Sequence, residues 1–132
     1  MPKLPKQPKP LDTQALRAAW LAERSLASSA RAASNSTAEW AHLERCHILS
    51  QPLAVPHVRT HLAMLSYGRR HRDRHEILGQ LGRLIVAAPG TALRRYPRGN
   101  TGGADVSALA PMPIPDDLAP YLSPTTHTED QP

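Results

Sequence analysis

Apolar residues along the chain recur at helical rather than strand spacing, and they do so in four blocks. In the first, Asp12 is placed to cap a helix over residues 13–33, with Leu16, Trp20, Leu26 and Ala27 on roughly one face. A loop-like cluster at 33–37 interrupts the pattern. Ser36 and Glu39 then have the spacing of a capping box, and a second helix runs to about Leu49, stopping before Pro52. On that helix Trp40, Leu43, Cys46 and His47 gather on one side. Pro56 suits the first position of a third helix reaching about Arg70, whose face is defined by Val58, His61, Met64, Leu65 and Gly68. Asp73 and Glu76 repeat the capping-box spacing. They open a fourth helix carrying Ile77, Leu78, Leu81, Leu84 and Ile85, expected to end before Pro89 and Gly90. Gly79 and Gly82 lower the stability of that helix and point to close packing against a neighbour.

The prolines sharpen this picture. Of 14 in the 132-residue chain, Pro2, Pro5, Pro8 and Pro10 fall at the start, and Pro111, Pro113, Pro115, Pro120, Pro124 and Pro132 near the end. Between Leu11 and Gln51, and between His57 and Ala88, there are none. The predicted fold is therefore all-α: a four-helix antiparallel bundle, or two stacked helical hairpins of tetratricopeptide type, with extended Pro-rich N- and C-terminal segments. Residues 1–11 read as a disordered basic arm, 12–122 as a single helical domain, and 123–132 as a disordered tail. Within the domain, residues 98–103 are turn-rich, and 111–115 favour an extended segment that drapes over the helices. Residues 116–122 suit one short helical turn.

Composition excludes several classes. A single Cys supports neither a disulfide scaffold nor a Cys-rich zinc site. No apolar run approaches the ~18 residues of a membrane span. The charged N-terminus has no apolar segment behind it, so it is not a secretory signal, and a soluble cytoplasmic protein is expected. Net charge is +5, with nine arginines between Leu53 and Arg98 against Asp73 and Glu76 alone, and beyond Arg98 there are acidic residues but no Lys or Arg. The basic middle and the acidic tail can neutralise each other; the functional alternative is a surface for an acidic partner. Nucleic acid is disfavoured: no recognised binding signature is present, and aromatics are only 4% of the chain. The glycines near 99–103 read as a tight turn rather than an anion nest, since no phosphate-binding motif accompanies them.

Candidate chemistry lies in the histidines. Six of seven fall between residues 42 and 75. His47 lies in the apolar sector of the second helix, with His42 at its edge and Glu44 three residues before it. His57 and His61, four apart, project from one face of the third helix. A hairpin of these two helices brings the faces together, and neutral imidazole is the commonest biological ligand for zinc, iron, nickel or copper. The candidate metal site is thus His47, His57 and His61, with His42 and Glu44 in or next to the ligand set. Glu-x-x-His motifs on separate helices are absent, which excludes the usual ferritin-like di-metal pattern. His71 and His75 fall in a run of arginines and read as solvated turn residues. Cys46 faces inward and reads as buried and inert.

Two stretches carry a resemblance: Trp40-Ala41-His42-Leu43-Glu44-Arg45-Cys46-His47-Ile48-Leu49-Ser50-Gln51 followed by His57-Val58-Arg59 and His61, and Gly99-Asn100-Thr101-Gly102-Gly103-Ala104-Asp105-Val106-Ser107 followed by Pro111-Met112-Pro113-Ile114-Pro115. Together, over about residues 12–122, they resemble the DUF3703 family of small bacterial proteins of unknown function. The resemblance implies a cytoplasmic protein of a kind often encoded near metal-resistance genes. The family's His-x-Glu-x-x-His and His-x3-His pattern falls on His42, Glu44, His47, His57 and His61. Cys46 stands where Ala is expected, and Asp105 where Asn is usual. The reading that results is a transition-metal-binding helical protein, in metal resistance or homeostasis. The alternative is a non-catalytic helical adaptor that binds an acidic protein through its Arg-rich half. Small size and many alanines are compatible with a homodimer.

Overall fold

The computed structural model describes residues 10–93 and 96–123, with the side chains of 88 and 92 left aside. The expectations for the arm and the tail fall almost wholly outside these residues. Within them the chain is all helical: α1 (Thr13–Ala32), α2 (Ser36–Ser50), α3 (Ala54–Arg70), α4 (Arg74–Ala92) and a single turn, α5 (Ala119–Leu122). α1 packs along α2, α3 along α4, and α2 against α3, so two helical hairpins are joined in a bundle. No described helix is long and apolar enough to cross a membrane.

The two hairpins turn in the same way. After α1, Ser34 adopts φ 56°, and the Asn35 N–H reaches back to the Ala30 carbonyl at 2.9 Å. After α3, Arg72 adopts φ 56°, and the Asp73 N–H reaches the Gly68 carbonyl at 2.9 Å. These are Schellman-type stops, which satisfy carbonyls left open at a helix end. In each case the next residue caps the following helix: Asn35 Oδ1 accepts from Ala38 N, and Asp73 Oδ1 from Glu76 N. The α2 cap is therefore Asn35, one residue before the expected Ser36. The residue whose main-chain N–H closes the turn thus also starts the next helix with its side chain.

Three other expectations are corrected. Pro56 is the third residue of α3 rather than the first, still within the turn where backbone donors have no helical partner. Pro89 lies inside the last turn of α4, on its exposed side, where water can serve the Ile85 carbonyl that loses its donor. Leu26 is 48% exposed, and Glu23 takes the inward position on α1.

One hydrophobic cluster joins Leu16 and Trp20 of α1 to Cys46, Ile48 and Leu49 of α2, closed by Leu118 and Leu122 at the end of the draped segment. A second, smaller cluster holds Ala27, Leu43 and Met64. α4 reverses the usual pattern. Its apolar Leu78 and Ile85 are 70% and 77% exposed, whereas Glu76, Gln80 and Thr91 are buried. The inward face of α4 is polar because it meets the histidines of α3.

Leu49 is fully buried, so Leu49→Ala is expected to lower the unfolding free energy by about 2–5 kcal/mol. Ile85→Ala, on the exposed stripe, is expected to change it by less than about 0.5 kcal/mol. Denaturant titration of both variants checks the assignment, and equal losses would contradict it.

Candidate metal centre

Three helix positions converge. His47 comes from α2, and His57 and His61 from successive turns of α3. Their Nε2 atoms form a nearly equilateral triangle: 3.1 Å from His47 to His57, 3.1 Å from His47 to His61 and 3.2 Å from His57 to His61. The residues are 4%, 6% and 2% exposed. Among the described residues this is the group whose donor atoms could hold a metal ion.

The surrounding hydrogen bonds determine where the ring protons sit. His47 Nδ1 is 2.6 Å from the Asn100 carbonyl, an atom that can only accept. His57 Nδ1 is 3.0 Å from Thr91 Oγ1, and that hydroxyl spends its hydrogen on the Gln51 carbonyl at 2.8 Å. His61 Nδ1 is 2.5 Å from Gln80 Oε1. The Gln80 amide is oriented by its nitrogen, which donates to Glu76 Oε1 at 2.5 Å and to the Gly102 carbonyl at 2.8 Å. Every Nδ1 therefore donates. A neutral imidazole has one N–H, so all three Nε2 atoms are bare lone pairs aimed at one another. No hydrogen lies between them, and the 3.1–3.2 Å spacings are not hydrogen bonds.

Protonating a ring would relieve the repulsion, but the site opposes it. Burial pushes the His57 imidazole down to about 3, helped by the neighbouring His61. Burial, with His61 and His57 nearby, holds His47 well below the usual range. Burial also lowers His61, against the Gln80 hydrogen bond.

A loop from the last third of the chain closes the site. Asn100, 1% exposed, is held by its own side chain: Nδ2 donates to the Ser107 and Ala110 carbonyls at 2.8 Å each, and Oδ1 accepts from Gly102 N at 2.9 Å. Gly102 has φ +83°, and a Cβ there would lie 2.5 Å from the His47 ring, so only glycine lets the loop approach. Glu76 accepts from Ala104 N, at 3.0 Å to Oε2. The Gly102 and Ala104 donors are thus used internally, in keeping with a tight turn.

His42 and Glu44 have other partners. His42 Nδ1 is 2.7 Å from Glu23 Oε2, and Glu23 Oε1 accepts from Arg45 at 2.8 Å, so His42 ties α2 to α1. Glu44 accepts from Trp40 Nε1 at 3.1 Å, and burial raises its carboxyl, with Glu76 adding to the effect. Cys46 lies against the Trp20 carbonyl, and burial pushes its thiol up to about 12, which keeps it protonated and inert. His71 and His75 are exposed. Gln80, Thr91 and Asn100 were not singled out from sequence. Of the three, Asn100 alone falls in a stretch marked by sequence, the turn-rich loop that also carries the family resemblance.

The depressed imidazoles carry a pH dependence. Below pH 6.5 the unfolded chain takes up protons that the folded, metal-free chain refuses, so stability falls as pH drops and is fully present above it. For His57 alone the loss between pH 7 and pH 5 is expected to be about 2 kcal/mol. Denaturant titrations in a chelator check this, and a flat profile would contradict it.

Comparison with known proteins gives one match. A family model described as a protein of unknown function, DUF3703, matches residues 14–122. No curated protein and no solved structure was found to match the chain. The match spans all four long helices, the three converging histidines and the loop that closes over them, and the chain belongs to the DUF3703 family.

Proposed function

We propose that this protein binds a transition-metal ion on His47, His57 and His61, and serves metal resistance or homeostasis. The observation that carries the reading is the convergence of three unprotonated Nε2 atoms in a buried site where each Nδ1 is committed as a donor. A cation at the centre turns this repulsive arrangement into a favourable one. Metal-ligating histidines commonly donate their second N–H to an oxygen, which fixes tautomer and ring orientation, and here all three do.

The spacing suits the size of such an ion. A tetrahedron with bonds of about 2.0–2.1 Å has edges of roughly 3.3–3.4 Å, and an octahedral face has edges of roughly 2.8–3.0 Å. The Nε2 triangle lies between these values. An all-imidazole set suits zinc, copper, nickel or iron, and lacks the oxygens that calcium and magnesium require. Three protein ligands leave further coordination positions for an exchangeable group, which fits an ion taken up and released better than a closed structural site.

Titration with zinc, nickel, copper and ferrous ions at neutral pH is expected to load one ion per chain. At one hundred times Kd, unfolding is expected to become harder by about 2.7 kcal/mol. His57→Gln with His61→Gln should abolish loading. Gln80→Leu, which removes the acceptor behind the His61 ring together with the bonds to Glu76 and Gly102, should weaken it by about 10- to 100-fold. His42→Gln and Glu44→Gln should leave the stoichiometry unchanged. Failure of the unmodified protein to bind any of these ions overturns the reading.

A further inference from the structure

A concave feature lies away from the histidines. α1 and α3 both pack on α2 but diverge from each other, leaving a groove of about 360 Å³ between them. Its floor is aliphatic, with Leu43 of α2 and Leu62 of α3, and Leu62 is 50% exposed. Its rim is cationic: Arg24 and Arg31 from α1, and Arg59 from α3. These three arginines form no ion pair among the described residues. The lining contains one acid, Glu39, and Arg70 already occupies it in a two-pronged pair. The groove therefore presents uncompensated positive charge around exposed apolar surface.

We propose that this groove binds an acidic peptide segment of a partner protein, seating an aliphatic side chain on Leu43 and Leu62 while carboxylates engage Arg24, Arg31 and Arg59. Guanidinium groups match carboxylates in forked geometry, and a basic rim both steers and orients an acidic ligand. A peptide fits better than a nucleic acid because no aromatic side chain lines the groove, so bases would find no stacking platform. Two of the three free cations lie on α1, outside the arginine-rich stretch at 53–98, and folding alone brings them beside Arg59. The inference does not depend on the metal reading.

Fluorescence anisotropy tests it with a labelled hexapeptide of alternating glutamate and leucine, in chelator so that the histidine site plays no part. The expected result is saturable binding that weakens at least tenfold between low and high salt. A glutamine–leucine hexapeptide should not bind measurably. Arg31→Glu with Arg59→Glu, both on exposed positions, should weaken binding at least tenfold with an unchanged melting curve, and Leu62→Ser should weaken it severalfold. The proposal is overturned if the acidic peptide does not bind, if the glutamine peptide binds equally, or if charge reversal in a folded variant has no effect. Equal competition by an oligothymidylate of the same charge also overturns it, because the surface would then be a general polyanion site.

Discussion

Three neutral imidazoles held tip to tip repel one another, and much of this molecule is arranged to keep them there. α2 and α3 supply the rings, but neither helix fixes their orientation. That falls to the oxygens behind them: an amide and a hydroxyl from α4, and a main-chain carbonyl from the closing loop. Each oxygen is itself held, Gln80 by Glu76 and Gly102, Thr91 by Gln51, and Asn100 by its own loop. Apart from the three Nε2 atoms themselves, every polar group of this buried network is paired, and moving any member would leave another unpaired in a low-dielectric interior. The reversal of α4 has the same origin. Its polar side faces inward because that is where the acceptors are needed, and Leu78, Leu81 and Ile85 are left outside.

What could be read from the sequence follows from what periodicity reports. His57 and His61 fall on one face because four residues make about one helical turn, and His47 falls in the apolar sector of α2, so their meeting across a hairpin was legible. On α4 the apolar residues mark the helix but not its buried side, since Leu78 and Ile85 are exposed and Gln80 and Thr91 face inward. Gln80 and Thr91 look like ordinary surface residues until His61 and His57 are placed beside them. His42 and Glu44 lie close to His47 along the chain, but small angular offsets on a helix select different partners: Glu23 across the hairpin for one, Trp40 a turn away for the other. The family resemblance spanned the helices and the loop together, and that extent is what the family match confirms.

The two hairpins share more than their turns. In the first, His42 bonds Glu23 across the helix pair, and in the second, Gln80 bonds His61; both bonds span 19 residues. One register position thus carries a polar cross-link in each hairpin, with different chemistry. The first is charged and extends through Arg45 to Asp117 at the surface. The second is an amide, which accepts the ring proton without bringing a net charge to the buried rings. The same backbone plan serves once as a clamp between helices and once as the support of a site.

The closing loop also has a bearing on how the protein is made. Its carbonyl reaches His47 across 53 residues of chain, while the helices and their turns depend on much nearer neighbours. During synthesis the two hairpins can therefore form while the His47 ring still lacks its acceptor. Local contacts form readily, and distant ones must wait for the chain to arrive and close. Until then the His57 and His61 rings already have their acceptors on α4, and the His47 ring alone is free to turn. The order of emergence from the ribosome means that the three-histidine arrangement is complete only when the last third of the chain has been laid down.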